Sequence, residues 1–260
     1  MKTKLFLFAL LTHLGLQAKF VKATILFNDG HTENGFVDSF LENKFIDFRL
    51  FKTMEQELNL DDKNIKFKVD ENGEVKSISI NDVDEMTLTY KSEYTEQYKV
   101  LNMKTISSNG EIVDKQTKLW FRLVKKGKIN IYGYRYMAID NTPIGRSASI
   151  EYEIYYQNEN DDYVINPYEN LDFFNFAGVK RITMTFLRNL FKDCPEFVAK
   201  MDSQFEETPS KDAMKEYRSK RKEKEQKFAH LKKTNSILHY YETTSFGFAD
   251  KIEEYESECP

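Results

Sequence analysis

Histidine and cysteine are the scarcest metal-binding residue types in this chain, and their placement narrows the chemistry at once. Of four histidines, only His31, His230 and His239 lie beyond the first 18 residues. No His-x-x-x-His or Cys-x-x-Cys spacing occurs, so a zinc centre is not expected. The two cysteines, Cys194 and Cys259, can pair or stay apart, since spacing alone does not decide pairing. The five prolines all lie at or beyond Pro143, so glycine punctuates the first half instead, at Asp29-Gly30, Asn72-Gly73, Asn109-Gly110 and Lys126-Gly127. Positive charge is also in deficit: 38 Lys and Arg against 42 Asp and Glu give a net charge of −4, which argues against a nucleic-acid binder.

Long hydrophobic runs are missing too, apart from one at the start. Met1 to Ala18 reads Lys2, Lys4, an apolar run from Leu5 broken by Thr12 and His13, then small Ala18. That pattern is expected to be a secretory signal peptide, too short to span a bilayer. No cysteine sits near the cleavage point to carry a lipid. Export to the periplasm or the extracellular space is the expectation, with no membrane span after cleavage. In an oxidising compartment Cys194 and Cys259 form one candidate disulfide; a buried Cys194 with a frayed Cys259 is the other reading.

What is present is strand pattern. Thr117 to Ile139 predicts a central β-hairpin around Lys126-Gly127, with glycine placed for a positive φ and Lys125 paired with Lys128. Outward counting sets Phe121 against Tyr132, Leu119 against Tyr134, and Trp120, the only tryptophan, against Gly133. By alternation Leu119, Phe121, Leu123, Tyr132 and Tyr134 share one face, and Trp120, Val124, Ile129, Ile131 and Met137 the other. Both faces are apolar, as in a sheet covered on two sides. Further strands are expected at Val21–Phe27, in Ile65, Phe67, Val69 and Val75, Ile78, Ile80, and at Tyr163–Asn166.

The period changes near Pro167. Met184, Leu187, Leu190 and Phe191 fall at helical spacing, Asp193-Cys194-Pro195 interrupts them, and Phe197, Val198, Met201 and Phe205 continue a second helix. A third, sparsely apolar helix is expected from Ser210 to Lys232. The expected fold class is α+β: a signal peptide over 1–18, an antiparallel β-rich domain over 19–167, a helical segment over 168–232 packed on the sheet, and an irregular acidic tail over 233–260.

Three stretches carry a resemblance: Ala23 to Val37 with its Asp-Gly turn, Leu119 to Tyr136, and Leu-Phe-Lys-Asp-Cys-Pro-Glu-Phe over 190–197. In these the chain resembles a loose group of exported β-rich proteins of Bacteroidetes with no assigned function. The resemblance implies export and a β-rich body; it carries no catalytic residue over.

Candidate sites are few. Asn158, Asn160, Asp162 and Glu169 loosely follow calcium-loop spacing, although Tyr163 stands where the turn requires glycine, and a polar hairpin tip explains the same residues. Tyr132, Tyr134 and Tyr136, if exposed, would form an aromatic binding surface. Arg218 to Lys227 holds six basic residues against two acidic. It reads as a solvated helix face, or as a patch using Arg221, Lys222 and Lys224 to meet anionic lipid or an acidic partner. Ser147 lacks the glycine frame of a nucleophile elbow. No cofactor is expected. The function expected is a non-catalytic binding or assembly role at the cell envelope, towards another envelope protein or a glycan, the alternatives being a glycan- or lipid-binding module or a carboxylate-dependent hydrolase.

Overall fold

A computed structural model of the chain describes residues 20–38, 44–47, 52–55, 63–90, 94–142, 145–167, 169, 176–206, 211–244 and 248–259. The expected signal peptide and the Ser210 cap lie outside these residues. The chain is α+β, with a large antiparallel-rich β body and mostly C-terminal helices. It divides into two compact units, 1–97 and 98–260. The strand-to-helix switch near Pro167 therefore falls inside the second unit.

The first unit contains β1 (Val21–Phe27), β2 (Thr32–Asp38), β3 (Lys44–Asp47), β4 (Lys52–Glu55), β5 (Asn64–Lys68), β6 (Lys76–Ser79) and β7 (Val83–Thr89). Five of them pair antiparallel in the order β7-β1-β2-β5-β6, while β3 and β4 form a separate ribbon. Alternation decides which side chains go inward: Ala23, Ile25, Ile65, Phe67, Met86 and Leu88 are buried with polar neighbours between them. The alternation ends sooner than expected, because Val69 and Val75 are exposed at the β5–β6 tip. Gly30 takes a φ of +87° in the Asp29-Gly30 turn, a conformation that favours glycine.

The second unit is built on β8 (Thr95–Ile106) from Tyr98 onward, β9 (Ile112–Lys125), β10 (Ile129–Thr142), β11 (Gly145–Asn158) and β12 (Tyr163–Asn166). Successive strands pair antiparallel, and β12 also pairs with β8 in parallel, Tyr163 against Asn102 through Asn166 against Thr105. The five strands therefore close into a ring, and the expected sheet layer is a small barrel. Both faces of the central hairpin are covered. Leu119, Phe121 and Tyr132 are buried with Leu101, Tyr155 and Val164, and Leu123 and Tyr134 pack against them. Ile129, Ile131 and Val124 pack on the other side against the helices.

The register of that hairpin differs from the expectation. Lys125 pairs with Ile131 and Leu123 with Tyr132, with a bulge between, and Trp120 pairs with Val100 on β8. The connection is longer than a two-residue turn, and its Gly127 N–H donates to Asn130 Oδ1 at 3.3 Å. Only Gly30 and Gly110 have positive φ among the described glycines, so Gly127 answers to space rather than to backbone freedom. A Cβ there would lie 2.1 Å from Glu256 Oε1. Gly133 likewise makes room for a helix: a Cβ would meet Ile237 Cγ2 at 2.9 Å and the Glu153 carbonyl at 2.9 Å. Trp120 is fully buried but is not the lid of Gly133.

Helices α1 (Phe176–Leu190), α2 (Pro195–Glu206), α3 (Lys211–Lys227), α4 (Leu231–Thr234), α5 (Ser236–Thr244) and α6 (Phe248–Glu258) follow. Pro195 opens α2, where its missing N–H costs nothing. The long third helix expected to Lys232 stops at Lys227, and the segment expected as an irregular tail is helical over Ser236–Thr244 and Phe248–Glu258. Asn235 starts α5 by accepting from the Leu238 N–H at 3.1 Å. Phe248, Ile252 and Tyr255, at i, i+4 and i+7, bury the inner stripe of α6. Tyr156 on β11 is the hub: its ring meets Phe186 of α1, Tyr241 of α5 and Phe248 of α6. Each such buried side chain contributes about 2 kcal/mol of apolar burial.

Candidate functional site

The β9–β10 connection and the C-terminal helices meet around three basic or backbone groups of Lys125 to Lys128. Lys125 Nζ lies 3.3 Å from Glu242 Oε1 on α5, Glu256 of α6 lies over Gly127, and Lys128 Nζ donates to the Cys259 carbonyl. The Glu242 side chain is 4% exposed, and its Oε2 finds no hydrogen-bond partner among the described residues. Cys259 is joined to Cys194, which ties the residue after α6 to the residue before α2. Lys200 of α2 adds contacts of 2.8 Å to Glu254 and 2.6 Å to Glu258 of α6.

A cleft of about 230 Å³ opens beside this disulfide, lined by Lys128, Asn158, Glu159, Asn160, Asp193, Glu196, Tyr255 and both cysteines. Asn158 is buried and fixes the wall: its Nδ2 donates to the Leu190 carbonyl at 3.1 Å and to Asp193 Oδ2 at 2.9 Å. Asn160 Nδ2 donates to the same Asp193 oxygen at 3.0 Å. Hydrogen bonds from Asn160 and then Asn158 hold the Asp193 carboxyl below its ordinary pKa, so it stays ionised. Glu159 and Glu196 add negative charge, whereas Lys128 is directed to a carbonyl. The cleft is smaller than the ~300 Å³ of ordinary small-molecule pockets, so its size suits one polar side chain or a small polar molecule.

The four residues with calcium-loop spacing do not act as one set. Asn158 and Asn160 share Asp193, Asp162 is exposed, and Glu169 meets Lys115 at 2.8 Å. Burial alone would raise the Glu169 carboxyl, but hydrogen bonds from Lys115 and Thr105 together with the Lys115 charge outweigh it and hold the carboxyl below its ordinary value. Among the described residues no group of three or more His, Cys, Asp or Glu could hold a metal ion.

The tyrosines read as a surface are drawn inward. Tyr132 is 2% exposed and donates to Gln157 Oε1 at 2.7 Å. Tyr134 and Tyr155 both donate to Glu153 Oε2 at 2.6 Å, and their rings stack at 5.9 Å. Burial, then the neighbouring Tyr134 and Glu153, push the Tyr155 phenol far above its ordinary pKa, so it acts only as a donor. The Tyr136 side chain lies outside the described residues. The barrel wants these rings as filling, with the tips of Tyr132 and Tyr134 satisfied across the strands and that of Tyr155 by Glu153 on its own strand. A flat stacking platform is therefore not formed by Tyr132 and Tyr134.

On α3 the basic residues separate by role. Lys224 is 20% exposed and turns to Asp250 and Glu253 of α6, while Arg221 meets Glu225 at 3.4 Å and Lys222 is exposed. Lys125, Lys128 and Asp193 enter the sequence reading only as structural markers, and Glu242 and Glu153 not at all, so none of them stands among its candidate site residues. Their one legible signal is the run Lys125-Lys126-Gly127-Lys128 at a hairpin connection. Comparison with protein families, with characterised sequences and with solved structures finds no match. Among the described residues no helix is long and apolar enough to cross a membrane.

Proposed function

We propose that this protein is exported to the cell envelope and acts there by binding, holding a partner protein or glycan rather than transforming a substrate. The observation that carries this reading is the Cys194–Cys259 disulfide at the rim of the polar cleft. A disulfide persists in oxidising compartments, and the charged start and apolar run before Ala18 suit a route to one. The cleft supports binding through its rigid polar wall: Asn158 and Asp193 are positioned by hydrogen bonds from three directions, and the disulfide fixes the helices on either side.

The test is made in the native host with a C-terminally tagged chain carrying a photo-crosslinking residue at Glu159. The expected result is an envelope-fraction protein, resistant to thiol alkylation, that traps one stoichiometric neighbour. Accumulation in the cytoplasm with two alkylatable cysteines would overturn the export. An exported chain that forms no adduct from Glu159 would overturn the role of the cleft.

A further inference from the structure

Helix α3 carries a cationic ridge, and we propose that this ridge docks the protein on an anionic lipid bilayer. Between residues 211 and 233 the sequence holds ten Lys and Arg against four Asp and Glu, in a chain whose total charge is −4. The structure sorts these charges. Lys220 is matched by Glu216 at 2.8 Å, Arg221 by Glu225 at 3.4 Å, and Lys224 faces Asp250 and Glu253 of α6. Lys215, Arg218 and Lys222 are exposed, and among the described residues none of them forms an ion pair.

At ~100° per residue these three side chains fall within about 60° of arc, on the side away from Lys224 and hence from α6. They span about 10 Å along the helix. Between and beside them stand Ser219 and Gln226, so the ridge has no aromatic or apolar anchor. Exposed Lys227, Lys232 and Lys233 extend the positive charge beyond the helix end. Two exposed carboxylates of this stretch remain: Asp212, one turn before Lys215, and Glu223, about 80° round the helix from it.

The absence of an anchor on that ridge selects the occupant. Protein interfaces take most of their affinity from a few buried aromatic or arginine side chains seated in pockets, which a straight row of solvated cations does not supply. A headgroup plane asks only for charge along a line: each Lys or Arg near an anionic surface raises partitioning roughly fivefold. Three therefore raise it roughly a hundredfold at low salt, and screening removes most of this as the Debye length shrinks. The inference names a contact for the envelope role above and rests on that reading only for the protein's place in the cell. Export fails or holds in the fractionation; lipid docking fails or holds with purified components.

The experiment is sedimentation of the purified chain with vesicles of phosphatidylcholine, with and without one third phosphatidylglycerol, at low and high salt. The expected result is binding only to the anionic vesicles, reversed by salt. K215Q/R218Q/K222Q should lower low-salt partitioning roughly a hundredfold, and K215E/R218E/K222E by more, with unchanged far-ultraviolet circular dichroism. The control K22E/K63E/K66E makes the same charge change at exposed positions of the first unit and should retain most of the binding. No binding to anionic vesicles, or equal loss in the control and the α3 variants, would overturn the proposal. So would displacement by soluble polyglutamate at the same charge concentration as the lipid, which would mark an acidic protein as the occupant.

Discussion

Lys125 and Glu242 are 117 residues apart in the chain, and their charged groups meet at 3.3 Å. The lysine side chain is 29% exposed and the glutamate 4%, so the carboxylate bears most of the desolvation. Removing the lysine strands a buried charge, which is costlier than never having the pair. Lys125→Met should lower stability by about 2 kcal/mol in equilibrium urea unfolding, the partial exposure of the lysine reducing the full cost of a buried pair. Lys125→Met with Glu242→Leu should recover most of that loss. A double variant no more stable than the single would mean that the two groups do not act as a pair.

The disulfide closes a loop of 65 residues. In the chain-entropy view a loop of that length is worth about 4 kcal/mol. Cys194→Ser with Cys259→Ser should lose a large part of that value, and hydrogen exchange should rise first in Phe248–Glu258, whose far end is then held by Lys128 and side-chain contacts alone. Uniform loss of protection across the barrel strands would contradict a local tether.

Two crowded glycines should respond in opposite order to their crowding. A Cβ at Gly127 would be 2.1 Å from Glu256 Oε1, the far end of a flexible side chain; at Gly35 it would be 2.3 Å from the Lys68 carbonyl and 2.6 Å from the Phe67 ring. Glu256 can swing aside, whereas the Lys68 backbone is part of β5. Gly35→Ala should therefore cost about 3 kcal/mol and Gly127→Ala about 1 kcal/mol, on the scale of overpacking in a filled core. Thermal unfolding of the two variants gives the ranking directly.

Acid should weaken the second unit through two carboxylates. Burial pushes Glu254 up, but hydrogen bonds from Lys200 and Lys251 prevail and hold it below its ordinary value of 4.5. Asp193 is held below 3.8 by Asn160 and Asn158. A carboxyl whose pKa is depressed by folding contributes stability above its unfolded pKa and loses it as pH falls through the folded one. The urea midpoint should thus be level between pH 7 and about 5 and fall below about 4.5. Glu254→Gln with Asp193→Asn should flatten that fall; an unchanged slope would assign the acid sensitivity elsewhere.

The legible part of this fold was local. Leu119, Phe121 and Leu123 alternate with Trp120 and Val124, so the two covered faces of the hairpin follow from period two alone. The parallel pairing of β12 with β8 did not follow, because Tyr163 and Asn102 are distant in sequence and nothing in a four-residue strand names its second neighbour. Register failed at Gly127 for a related reason: the residue that demands glycine there, Glu256, arrives from the far end of the chain. The helix at Phe248 was readable from Phe248, Ile252 and Tyr255, but Asp250, Glu253 and Glu254 between them gave the stretch the look of an acidic tail. The tyrosines mislead because alternation assigns a shared face without saying whether that face is the inside of a closed ring. On α3 the sequence marks a basic run, whereas only the position of α6 tells that Lys224 is occupied and Lys215 is not.

Because β12 is the strand that seals the ring, β8 over 102–105 and β11 at Tyr156 keep open edges until residues 163–166 have arrived. A chain that ends earlier would offer those edges to other chains, and self-assembly into sheets is the hazard such edges carry. Shortened forms lacking β12 should therefore precipitate, however sound the remaining strands are, and the soluble minimum of this unit must extend past Asn166.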